Sequence, residues 1–257
     1  MSQRILAIAL NTFRENRRDR VLYVLRVFAG VVIVTGVALG ELSPFEQSKI
    51  LLDLGQACMF LVGSLIALLL GNGLVAKEIE RRTVSVILSK PVGRGEFLVG
   101  KVLGLTLTLT VALAIMGVTL VAVATLYGAP PTTALLQSFV LLWAEMVLLV
   151  SMAVAFASFV SSSTLAGMFS LSCWTLGQIT SDLDRLASSS TSTSTRAVLR
   201  AFYWILPNLS LFDAKASGTH GIMVPLDEFG AVLVYGLAYS IVLLAVASAA
   251  FSRRDFK

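Results

Sequence analysis

The chain has 257 residues, of which 56% are hydrophobic and 14% charged, with a mean hydropathy of +0.86. Soluble domains average about 45–50% apolar and about 25% charged residues, so the composition excludes an ordinary soluble protein and predicts an integral membrane protein. The net charge of +5 would suit nucleic acid in a soluble chain, but here it reads as basic loops held on one side of a membrane, with no nucleic-acid partner.

Residues 3 to 20 place Ile5, Leu6, Ala9, Leu10 and Phe13 on one helical face, followed by Arg14, Arg17, Arg18 and Arg20. That pattern predicts a helix lying in the membrane interface, in contact with membrane lipid. The apolar stretch Ile5 to Leu10 is short and leads into a charged segment instead of a small-residue cleavage site, so this N-terminus is expected to be retained. Apolar runs then occupy about 21–40, 54–76, 102–127, 133–160, 164–181 and 229–251, each near the roughly 20 residues a helix needs to cross a bilayer. They are too long and too uniformly apolar for barrel strands. The expectation is therefore an all-α membrane protein, a single domain of six transmembrane helices. Fifteen of the twenty Lys and Arg residues fall before or at the first run, between the second and third, or at the C-terminus. An even number of spans then puts both termini in the cytoplasm.

Between the second and third runs, the stretch from Lys77 to Lys101 opens with a charged half in which Ile79, Thr83, Val86 and Ile87 recur at helical spacing. Glu78 precedes Arg82 by four residues, a favourable pair on a helix surface. A short amphipathic helix is predicted there, ending before Pro91, with Gly93 and Gly95 turning the chain ahead of a third span near Lys101. An ordinary solvated loop fits the same residues. Gly95, Gly100 and Lys101 also fall on the first three fixed positions of a phosphate-binding loop. Val102 occupies the place of the hydroxyl that would hold magnesium, and no strand precedes Gly95, so no nucleotide site is expected in this chain.

Cys58 and Cys173 lie inside apolar runs without a ligand-spaced partner, and His220 stands alone in a polar stretch, so neither a disulfide nor a metal site is expected. Glu145 is the carboxylate farthest from the ends of a span. An ionisable group in hydrocarbon is costly and thus a functional candidate, though pairing with a neighbouring helix is the alternative. Gln178, the pair Gly63 and Ala67, and the pair Gly100 and Gly104 suit hydrogen bonds and close contacts between helices. The segment 182–228 is expected outside the cell, with Ser188 to Thr195 as a flexible tether and a short interfacial helix ending before Pro207. Asn208–Ser210 matches a glycosylation tripeptide that is common by chance.

In four stretches the sequence resembles the membrane subunit of an ABC-2 type exporter, the permease group that includes the maturation permease of copper enzymes such as nitrous oxide reductase. They are NTFRENRRDRVLYVL near the start, the Glu78, Thr83, Leu88–Pro91, Arg94, Gly100, Lys101 pattern, ILPNLSLFDAK at Ile205–Lys215, and FSRRDF at the end. The resemblance implies that the segment between spans two and three holds a coupling helix, with Lys77, Glu78, Ile79, Glu80, Arg81, Arg82, Thr83, Val86, Pro91 and Arg94 meeting a separate ATPase. It also implies that the N-terminal helix, through Phe13, Arg14, Arg17, Arg18 and Arg20, rests on that ATPase. Two permease copies, two ATPases, and ATP with magnesium bound on the ATPase alone would complete the complex in the bacterial inner membrane. An ion-gradient-driven secondary transporter is the alternative function. It would favour several intramembrane ionisable groups and matching breaks in two halves, whereas this chain offers one Glu, no mid-span Pro and no obvious repeat. A membrane-embedded enzyme would need converging catalytic groups, which the sequence does not display.

Overall fold

The computed structural model describes residues 2–17, 27–35, 38, 47–80, 94–160, 162–189 and 193–253, and among these no strand occurs. The helices are α1 (Ser2–Arg17), α2 (27–35), α3 (Gln47–Glu80), α4 (Arg94–Leu126), α5 (Thr133–Phe159), α6 (Ser163–Gln178), α7 (Thr180–Ser189), α8 (Thr193–Ile205), α9 (Lys215–His220) and α10 (Leu226–Arg253), with a 3-10 turn at Leu209–Phe212. Four of them carry stretches long and apolar enough to cross a membrane: Gln47–Gly73, Gly95–Leu126, Thr133–Phe159 and Leu226–Ala250.

These boundaries depart from the sequence reading in instructive places. The third apolar helix starts at Arg94 instead of near Lys101, and Glu96 in its first turn complements the positive end of the helix dipole. Charge alone did not end the helix, because backbone hydrogen bonding continues past the apolar run at either end. The expected fifth span is the 16-residue α6, about 24 Å at 1.5 Å per residue, against a hydrocarbon core of about 30 Å. Of the expected first span, 27–35 is helical, with Phe28 and Val32 in the core, and most of the rest lies outside the described residues. Ser188, Ser189 and Thr193–Thr195, expected in a tether, belong to α7 and α8, which pack against each other. A helix does end just before Pro207, as expected: it is α8, whose last residue is Ile205.

The bundle is organised around α5. It packs on α3, α4, α6 and α10, and its Met146, Leu148, Leu149, Val150 and Ala153 are buried. By contrast α10 is the least covered of the four long helices, exposing Val234, Leu237, Ile241 and Val242. Side chains of that kind suit hydrocarbon surroundings. Small residues set the closest approaches. A Cβ added at Gly71 would lie 2.6 Å from Ala153 Cβ, and at Gly63 it would meet Leu113 and Met146 at 3.3 Å.

One end of the bundle carries the 126–133 connection and everything from α7 to the start of α10. There, the chain after α8 turns back into the helices instead of running over them. Leu209 and Phe212 are fully buried, Leu209 against Gly177 and Phe212 against Gly236. The opposite end carries α1, the last turn of α3, the first turn of α4 and the end of α10, where Gly95 faces Ser248.

Candidate functional site

At the end that carries α1, this helix lies against α4. A Cβ on Gly100 would come within 2.9 Å of Ile8 Cβ, and one on Gly104 would come within 2.5 Å of the Ala9 carbonyl and 2.6 Å of Thr12 Cβ. Close contact at Gly100 and Gly104 agrees with the sequence expectation. The face of α1 that meets them is different in part: Ala9 and Thr12 are buried, while Leu6 and Leu10 stay exposed. Thr12 is acceptable there because its hydroxyl donates to the Ile8 carbonyl at 2.9 Å. Lys101 bridges the joint, its ammonium 3.9 Å from Glu15 and 5.6 Å from the Phe97 ring centre. Phe13 is half-buried and Arg14 exposed; Arg17 is the last residue of α1, and Arg18 and Arg20 lie outside the described residues.

Of the expected coupling residues, Lys77, Glu78, Ile79 and Glu80 form the last turn of α3 and Arg94 opens α4. Arg81, Arg82, Thr83, Val86 and Pro91 lie outside the described residues. The segment in question is therefore framed by the ends of two long helices, one of them braced by α1.

The other end holds a buried polar site. Glu145, on α5, is 2% exposed, and Gln178 at the end of α6 donates to its Oε1 from 2.6 Å. The two polar residues singled out from the apolar runs are thus partners. Lys215 and Asp213, from the inward-turned segment, are the charged groups that act on this carboxyl through space. The Lys215 ammonium sits 3.2 Å from Asp213 Oδ1 and 3.9 Å from the centre of the Phe60 ring. Such a cation over an aromatic face is stabilised by the ring quadrupole.

A second polar node lies beside it. Gln56 of α3, 1% exposed, uses both ends of its amide: Ser138 Oγ of α5 donates to Oε1 at 2.7 Å, and Nε2 donates to Thr219 Oγ1 at 2.9 Å and to the Lys215 carbonyl at 3.3 Å. Gly218 makes this approach possible, because a Cβ there would fall 2.6 Å from Ser138 Oγ. Gln137, one residue earlier on α5, clasps the backbone of Val224 in both directions, accepting from its N–H at 3.1 Å and donating to its carbonyl at 3.2 Å. On α10, Tyr235 Oη accepts from the Asn208 N–H at 2.9 Å and Tyr239 Oη donates to the Ile205 carbonyl at 3.1 Å. Residues 205–224 are therefore fixed by α3, α5, α6 and α10 together. A buried polar network satisfied in this way specifies one arrangement.

Sequence reasoning missed Gln56, Ser138, Thr219 and Lys215. Gln56, Ser64 and Asn72 interrupt the apolar run of α3. All three are buried: Ser64 Oγ lies 3.8 Å from Met146 Sδ, and Ser170 Oγ donates to Asn72 Oδ1 at 3.1 Å. Three polar residues inside an apolar run were the available signal. Cys58 and Cys173 are free and half-buried, and His220 is exposed at the end of α9 instead of in a loop. Among the described residues no group of three His, Cys, Asp or Glu side chains could hold a metal.

The model of a family described as "ABC-2 family transporter protein" matches residues 6–256, almost the whole chain from α1 to α10. Such family members are membrane transport subunits that are not ATPases themselves and work with an ABC ATPase. A search of curated proteins gave no match. With its helices, its apolar surface and this coverage all in agreement, the chain belongs to the ABC-2 transporter permease family.

Proposed function

We propose that this chain is the permease half of an exporter in a bacterial inner membrane, working as a homodimer with two copies of a separate ATPase that binds ATP and magnesium. Six spans cross the membrane: α2 with its flanking residues, α3, α4, α5, α6 and α10. Both termini are cytoplasmic, as the distribution of Lys and Arg favours. The segment from Lys77 to Ser89 docks on the ATPase, and α1 rests beside it. The inward-turned segment 205–224 closes the outer end of the pathway, and the pathway lies between the two permease copies.

The observation that carries this reading is the continuity of α3. It is one helix from Gln47 to Glu80, entering the coupling segment at one end and holding the Gln56 node at the other. Gln56 and Glu80 are 24 residues apart, about 36 Å along a helix. A tilt imposed at Glu80 must therefore appear at Gln56, and through Thr219 and Lys215 it reaches the segment that closes the outer end. Helices transmit displacement in this way because packed interfaces have discrete arrangements.

The test is Glu78→Ala with Arg82→Ala in the complex with its ATPase. The double variant is expected to insert and fold normally while losing permease-stimulated ATP hydrolysis and transport. Stimulation equal to wild type would remove the coupling assignment.

A further inference from the structure

Among the described residues, Trp174 Nε1 is the buried side-chain nitrogen or oxygen that meets no hydrogen-bond partner. Buried donors are nearly always answered, so an orphan calls for an explanation. Its surroundings give one. The indole packs on Phe60 of α3 with ring centres 5.9 Å apart, and Phe60 in turn carries the Lys215 ammonium. One helical turn beyond Trp174 on α6, Gln178 donates to Glu145. A free donor, an ammonium, two carboxyl groups and two aromatic rings therefore converge where α3, α5, α6 and the inward-turned segment meet.

The charges nearby are already matched. Asp213 holds Lys215, and Gln178 holds one oxygen of Glu145. What the site lacks is an acceptor for an N–H, not an extra anion. Access comes from α6, which is fully buried only at Ala166, Ser170 and Gly177 and exposes Met168, Phe169, Leu171 and Leu176. Trp174 is half-buried at the edge of that exposed side, which is apolar surface on which a hydrocarbon chain can lie.

We propose that this is a binding site for an amphiphile. An ester carbonyl oxygen at its polar end accepts from Trp174 Nε1, beside Phe60 and Lys215, and its chain runs along the exposed side of α6. As the cargo class of the permease it rests on the transport reading above; as a binding site it does not, and the test is of binding alone.

The full-length chain, with any ATPase that co-purifies, is extracted in mild detergent and supplied with phosphatidylglycerol, and the bound lipid is counted by native mass spectrometry. Trp174→Phe is expected to weaken retention of the tightest lipid by about threefold to tenfold, the range for one lost hydrogen bond. Trp143→Phe is the control, because that indole already donates to Thr110 Oγ1 at 2.9 Å, and it should retain lipid as wild type does. In a Trp143→Phe, Trp204→Phe background, which leaves Trp174 intact as the sole tryptophan, emission should shift on adding phosphatidylglycerol and not on adding glycerol phosphate. Equal retention by Trp174→Phe and wild type, equal loss in both single variants, or a full response to glycerol phosphate would overturn the proposal.

Discussion

Replacing Gly104 by alanine puts a methyl group where α1 already sits. The new Cβ would lie 2.5 Å from the Ala9 carbonyl oxygen and 2.6 Å from Thr12 Cβ, and the first of these is backbone, which no rotamer change can move. Overpacking of this kind costs about 1–3 kcal/mol. Alanine also favours the helix over glycine by about 0.8–1.0 kcal/mol, so the net loss is about 0–2 kcal/mol and hard to read alone. Gly73→Ala removes the ambiguity: it makes the same exchange in α3, where nothing lies within 4 Å of the new Cβ. The propensity gain cancels between the two, leaving the packing cost of about 1–3 kcal/mol as their difference. Unfolding each purified variant with sodium dodecyl sulfate in mixed micelles, followed by circular dichroism, measures it. Should Gly104→Ala prove as stable as Gly73→Ala, the packing of α1 on α4 would be refuted.

Leucine at Glu145 or at Gln178 leaves the other partner buried and unanswered, at about 1–3 kcal/mol for each single variant. The double variant should cost clearly less than the sum in the same unfolding assay, and strict additivity would mean that the two side chains do not meet. Glu145→Gln keeps a polar partner for Gln178 and is expected to fold while transporting less; transport equal to wild type would confine Glu145 to packing. Gln137→Ala removes both hydrogen bonds to Val224, so amide exchange at Val224 should accelerate by about tenfold, the equivalent of about 1.4 kcal/mol lost in closure. Unchanged exchange would show that Gln137 does not hold that segment. Gly218→Val drives a side chain into Ser138 and should expose residues 215–224 to limited proteolysis in the folded protein, whereas a wild-type digestion pattern would show that the close approach is dispensable.

How much was legible in the sequence follows from what each feature depends on. Lipid must be met by apolar side chains, so the four long helices stand out as runs, and their ends shifted because backbone hydrogen bonding, not hydropathy, decides where a helix stops. Gly100, Gly104, Glu145 and Gln178 were visible as residues out of keeping with an apolar span. That Gln178 is the partner of Glu145 was not, since it depends on how α5 and α6 are set against each other. The inward turn of 205–224 escaped for the same reason: with its apolar residues broken up by Pro, Gly and polar side chains it reads as an outside loop until Gln56, Ser138 and Gln137 supply hydrogen bonds from other helices. Likewise a run of Ser and Thr reads as a tether, yet α7 and α8 become helical on each other, a tertiary effect that overrides weak local propensity.

The coupling claim meets its most direct test in the assembled complex. Single cysteines at Glu78, Arg82 and Val86, paired with cysteines lining the ATPase surface that faces the membrane, would be oxidised in membrane vesicles with and without ATP. The account predicts cross-links at these positions whose yield changes with nucleotide, and none from Leu226 at the opposite end of the bundle. Cross-links from Leu226 to the ATPase, or none from Glu78, Arg82 and Val86 in either state, would contradict it.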